Sequence, residues 1–130
     1  MKNISLLTFF LLSISFTAMS QTFYDASGRP LVKFDGDYVN DASGRRIGRL
    51  DGDYINDGSG RRIGRLDGDY VNDASGRRIG RVDGNYFYDG SGRQVARLDG
   101  DYLNDGSGRR IARMETHRRK LAIVFFYFFY

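Results

Sequence analysis

Carboxylate, amide and hydroxyl oxygens are the densest chemical resource in this 130-residue sequence. Stretches such as Asp51-Gly52-Asp53-Tyr54-Ile55-Asn56-Asp57-Gly58 recur along it, and oxygen at this density first suggests calcium. A helix-loop-helix calcium site needs oxygen side chains at loop positions one, three and five, Gly at six and Glu at twelve. Counting from Asp51 places Ile55 at five, Asn56 at six and Arg62 at twelve, so the pattern fails. No metal ligand and no cofactor is assigned, and a weak calcium site shared by neighbouring turns is kept as an alternative.

Hydroxyl nucleophiles come next. Ser43, Ser59, Ser75, Ser91 and Ser107 occupy near-identical contexts, and turn chemistry accounts for all five. A catalytic triad needs one serine set apart by a histidine base. The single histidine, His117, lies between Thr116 and Arg118 in a basic linker, where solvation is the expectation. Cysteine is absent, which removes thiolate chemistry, cysteine-bound metal and disulfides. No catalytic residue emerges, and the expectation is a protein that is not an enzyme.

Aromatic rings offer the best candidate binding surface. Tyr38, Tyr54, Tyr70, Tyr86 and Tyr102 recur every 16 residues and could stack on sugar rings or choline-like cations. The competing role is structural, each ring covering Gly48, Gly64, Gly80 or Ala96 on the neighbouring strand. The net charge of +4 does not point to nucleic acid. Between residues 35 and 114, 14 Asp and 14 Arg cancel, so the basic face that displaces counterions from phosphates is missing.

The elements that must position these residues follow from repetition. Five 16-residue copies run without a gap: 35–50, 51–66, 67–82, 83–98 and 99–114. The unit reads Asp-Gly-Asp-Tyr-(Val/Ile/Leu)-Asn-Asp-(Ala/Gly)-Ser-Gly-Arg-Arg-Ile-(Gly/Ala)-Arg-Leu. The fourth copy departs most, with Asn85, Phe87, Tyr88, Gln94 and Val95. A degenerate copy, 21–34, precedes the five. Within each unit Gly recurs every eight residues, a spacing that suits one short strand plus one tight turn and does not suit a helix.

Asp57-Gly58-Ser59-Gly60 predicts a type I turn closed by a glycine bulge, a three-residue hairpin loop. The same loop placed at Arg65-Leu66-Asp67-Gly68 sets Ile55 opposite Ile63, Ile63 opposite Val71, Asp53 opposite Arg65, Asn56 opposite Arg62 and Tyr54 opposite Gly64. A two-residue loop there would slip the pairing by one and send the apolar residues of successive units to opposite faces. The expectation is therefore an all-β meander of about ten strands, each giving one aliphatic residue to a thin core, closed or nearly closed to remove exposed edges.

Two segments flank the repeats. Met1–Ser20 reads as a cleavable signal peptide, with Lys2, the apolar run Ile4–Phe16 and Ala18-Met19-Ser20 before an expected mature start at Gln21. This places the protein in the periplasm, the cell envelope or outside the cell. A basic linker, 115–120, leads to the aromatic segment 121–130, whose β-branched and ring residues predict an apolar strand of roughly 33 Å. That strand must be buried against its own domain, a membrane, or another chain.

The Tyr-Asp-Ala-Ser-Gly-Arg and Arg-Ile-Gly-Arg units, the export signal, the size and the Phe-rich end resemble the five-fold β-flower proteins, exported proteins of Bacteroidetes. The resemblance is strong over 22–114 and looser in the tail. It implies five petal-like hairpins around an axis, and it brings no enzymatic role and no site positions. The functional expectation is a non-enzymatic structural or interaction protein. One alternative is a glycan- or envelope-polymer-binding module using the Tyr row; another is membrane association through 121–130. Self-association is a further route to a partner.

Overall fold

The computed structural model describes residues 20–116 and 118–130. The signal-peptide reading of 1–20 falls almost wholly outside those residues, as does His117. Twelve strands form one closed antiparallel barrel. They are β1 (Ser20–Tyr24), β2 (Pro30–Asp35), β3 (Tyr38–Asp41), β4 (Arg46–Asp51), β5 (Tyr54–Asp57) and β6 (Arg62–Asp67). After these come β7 (Tyr70–Asp73), β8 (Arg78–Asp83), β9 (Tyr86–Asp89), β10 (Gln94–Asp99), β11 (Tyr102–Asp105) and β12 (Arg110–Met114). The ring contains six hairpins where five were expected. Residues 20–35 form the additional one, and β1 closes the barrel on β12 with Phe23 opposite Met114 and Tyr24 opposite Arg113.

One of the two expected loops forms. Gly60 N–H donates to Asp57 O at 3.1 Å, Asp57 N–H donates to Arg61 O at 2.7 Å, and Gly60 takes φ +89°. That is the type I turn with its glycine bulge. The second loop has two residues rather than three. Asp51 pairs with Tyr54, leaving Gly52-Asp53 between them, with φ +61° at Gly52. Positive φ at the first loop residue alone is the type II′ arrangement, which matches strand twist.

Several expected pairs therefore shift. Ile55 faces Leu50 on one side and Gly64 on the other, not Ile63, and Tyr54 faces Arg65 rather than Gly64. Leu66, not Ile63, faces Val71, and Arg65 is opposite Tyr54 instead of Asp53. Asn56 opposite Arg62 is as expected. The slip that should have scattered the apolar residues is cancelled by a β-bulge. The register jumps between Ile55 and Asn56, so Ile63 is an extra residue on its strand. Ile63 packs half-buried against the core, next to buried Gly64, and Leu66 packs there too. The second, third and fourth hairpins thus each supply three aliphatic side chains to the interior, which is thicker than one per strand.

The tail differs most from expectation. It is not a strand: Arg119–Val124 form a short helix, α1, and Phe125–Phe129 continue as a π-helical turn. Closure explains this. A strand inside a complete barrel would find no free edge to pair with, so its backbone N–H and C=O groups would be orphaned. A helix satisfies them internally, and a helix apolar on all sides is a buried one. Lys120 Nζ donates to Gly52 O at 2.9 Å, anchoring α1 at the end of the barrel that carries the two-residue loops. From there Leu121, Ala122, Val124 and Phe125 are buried as a plug.

The wall is shaped to the plug. Gly48, Gly64 and Gly80 face inward, and a methyl group on any of them would overlap the ring of Phe129, Phe128 or Tyr127 respectively. One step along the turn thus matches one 16-residue step back along the wall. Phe126 meets Phe87 with ring centroids 5.7 Å apart, and Phe125 meets Phe23 at 4.7 Å. The Tyr127 hydroxyl donates to the Tyr88 carbonyl at 2.7 Å. Burial pushes the pKa of that hydroxyl up, so it stays protonated and able to donate.

Candidate binding surface

Strand alternation sends Tyr, Asn and Arg of each unit outward while Ile, Gly and Leu point in. The five candidate tyrosines therefore lie on the outer wall. They do not stand opposite Gly48, Gly64, Gly80 or Ala96: across the ladder Tyr38, Tyr54, Tyr70 and Tyr86 face Arg49, Arg65, Arg81 and Arg97. Their partners are guanidinium groups. Arg46 lies 3.5 Å from the centroid of Tyr38, Arg62 from that of Tyr54, Arg78 from that of Tyr70, and Arg110 from that of Tyr102. Each such contact contributes about 0.5–1 kcal/mol at an exposed site and occupies one face of the ring.

Tyr86 differs. Its unit carries Gln94 where the others carry the stacking arginine, and no described guanidinium lies over its ring. It is 41% exposed, the most of the five. Tyr88, standing where most units have Asn, pairs across the ladder with Gln94 and packs under Arg81 at 4.5 Å. The fourth copy thus sets an uncovered tyrosine beside an amide and a second tyrosine. Its departures are visible in the sequence. Their effect depends on knowing which arginine stacks on which ring.

The oxygen-rich turns are self-contained. In one loop the Asp57 carboxylate accepts from Ser59 N–H at 2.9 Å, Ser59 Oγ–H at 2.7 Å and Arg61 N–H at 2.9 Å. The same three bonds recur at Asp25, Asp41, Asp73, Asp89 and Asp105. Each serine hydroxyl is a donor in its turn, as turn chemistry predicts. Among the described residues no three acidic or histidine side chains gather to hold a metal. No described polar or charged residue is fully buried.

These bonds hold the carboxyl groups below the ordinary carboxylate range. The serine hydroxyl leads, followed by the arginine N–H, and at Asp25 the order is reversed. A depressed folded-state pKa stabilises the fold above the unfolded value of about 3.9, and that contribution is lost as pH falls through the folded value. Thermal melts stepped downward should therefore show a midpoint that falls below about pH 4 as all six turns protonate together. Asp57→Asn keeps an acceptor oxygen and should flatten that slope. A midpoint unchanged between about pH 5 and 2.5 would remove the turns from the acid response.

No curated protein and no solved structure matches the chain. Residues 18–130 match the family described as 5-fold beta-flower protein. The match covers every hairpin and the plug, so the chain belongs to the 5-fold beta-flower family.

Proposed function

We propose that this chain is an exported, non-enzymatic interaction module that works through the outer wall of its barrel. The filled interior carries this reading. With Leu121, Val124 and Phe125 buried along the axis, the barrel offers no lumen to a substrate or solute, and contact is left to the outside. Quasi-identical units around a ring make a broad, uniform surface, a setting for binding rather than catalysis. Export rests on the composition of residues 1–20. Membrane attachment through 121–130 draws on apolar surface that the barrel already covers.

A second reading, binding of an envelope glycan through the tyrosines, is favoured by the open ring of Tyr86. A neutral sugar needs an apolar ring face with hydrogen-bonding groups beside it, and Gln94 and Tyr88 flank this one. Retention on insoluble cell-envelope polysaccharide should fall about five-fold in Tyr86→Ala and less than about two-fold in Tyr54→Ala, whose ring is capped by Arg62. Equal losses would return the site to the whole row, and no retention of the parent protein would remove glycan as the ligand. Finding the protein in the cytosolic fraction with residues 1–20 attached would overturn export.

A further inference from the structure

The geometry points to two equivalent grooves for a neutral sugar on the outer wall, each opened by a missing arginine. Pro30 and Gln94 stand where the other four hairpins carry Arg46, Arg62, Arg78 and Arg110, whose guanidinium groups stack on tyrosine. Beside Pro30 the wall opens into a groove of about 420 Å³, and beside Gln94 into one of about 270 Å³. Lys33, Asn40, Asp41 and Ser43 line the first. Their counterparts at the same repeat positions, Arg97, Asn104, Asp105 and Ser107, line the second. Such volumes lie around the low end of small-molecule sites and suit one ring resting on the wall.

The polar groups select the ligand. Asp41 Oδ1 accepts from Ser43 N–H, Ser43 Oγ–H and Arg45 N–H, which leaves Oδ2 without a partner among the described residues. Lys33 lies opposite Asn40 across the ladder and takes part in none of the ion pairs among the described residues. A carboxylate oxygen that accepts, an amide that donates and accepts, and an ammonium that donates thus line one groove. Neighbouring hydroxyls of a sugar can donate to the first and accept from the other two. In the second groove Arg97 is partly engaged by Asp99 at 3.5 Å, which makes it the weaker site. One cation and one carboxylate per groove leave no net charge to select an ion. An extended peptide would need a sheet edge, and the closed barrel has none. Tyr24 bounds the first groove with Arg113 already over its ring, so the polar groups rather than ring stacking define the site.

These grooves deepen the glycan reading of the outer wall, but the one beside Pro30 holds no tyrosine of the row, because Thr22 stands in that place. Tyr86→Ala and Pro30→Arg can therefore fail separately. The test follows the side-chain amide NMR signals of Asn40, Asn72 and Asn104 in the full mature chain, titrated with the methyl glycosides of glucose, galactose and mannose. At least one should shift Asn40 and Asn104 saturably, with a Kd on the order of 10 mM and the tighter value at Asn40. Pro30→Arg restores the residue of the other hairpins, so the fold is kept; it should abolish the Asn40 response and leave that of Asn104. Arg62→Gln should open a third groove and bring in Asn72. Reduced retention of Pro30→Arg on cell-envelope polysaccharide would assign the sugar to that polymer, and unchanged retention would assign it to a free saccharide. The proposal is overturned if none of the three glycosides saturates below roughly 100 mM. It is equally overturned by an Asn40 response that survives Pro30→Arg, or by an equal response to acetate.

Discussion

A chain ending at Lys120 should fail to unfold cooperatively, because residues 121–130 are the centre of the core rather than an appendage. Leu121, Val124 and Phe125 are each at most 1% exposed. Burying such side chains contributes about 1.5–3 kcal/mol apiece. Together they supply roughly 5–9 kcal/mol before Phe126 to Phe129 are considered, against a whole-domain stability of about 5–15 kcal/mol. Removing them also bares the inner wall at Gly48, Gly64 and Gly80, where no side chain shields the backbone from water.

The expected signs are a broad, non-sigmoidal urea profile, loss of near-ultraviolet ellipticity, and elution as aggregate. Phe125→Ala is a graded version and should cost about 3–5 kcal/mol while keeping a cooperative transition. The measurement also separates core from membrane anchor. An anchor could be removed to leave a folded, released protein with its stability intact. A truncated chain that unfolds within about 1 kcal/mol of the parent would show that the plug is dispensable.

The glycine rhythm made the hairpins legible because Gly at positive φ and Asp as a turn acceptor act locally. Asp57-Gly58-Ser59-Gly60 specifies its own loop with no help from distant residues. The pairing register was harder to read because two features must be counted together. The two-residue loop at Gly52-Asp53 shifts the pairing by one, and the bulge at Ile63 shifts it back. Either alone would turn Ile and Leu outward, and only the pair keeps both on the core side. Nothing local to Ile63 announces a bulge.

The tail misled for a related reason. Ile123, Val124 and the rings of 125–129 favour strands in isolation, but inside a closed ring the need to satisfy the backbone overrides that preference. Tyr86 lay between these extremes. Its row and the Gln94 departure could be read directly. The consequence of Gln94 for the ring required the Arg62-to-Tyr54 stacking seen in the other units.

The alternation of Gly and Ala at one repeat position leads to the other large effect. Gly48, Gly64 and Gly80 stand where Ala96 and Ala112 stand in the last two units. In a strand, Gly→Ala ordinarily stabilises by about 0.4–1 kcal/mol through the unfolded chain. Gly64→Ala should instead destabilise by about 1–3 kcal/mol, because its methyl group meets the Phe128 ring in a packed interior. The carbonyl oxygen of Asn72, 2.9 Å from the same methyl position, adds a cost that no change in the tail can relieve. The decisive quantity is therefore the coupling between the two sites rather than the single effect.

In a Phe128→Ala background the ring is gone, and Gly64→Ala should cost at least about 1 kcal/mol less than in the parent. Phe128→Ala with Gly80→Ala should be closer to additive, since the ring against Gly80 belongs to Tyr127. Urea midpoints of the single and double variants give both cycles. Additivity within about 0.3 kcal/mol for Gly64 and Phe128 would mean that this ring does not sit on this glycine. The rotation of the plug within the ring would then have to be set elsewhere, at the Tyr127 hydroxyl or at Lys120.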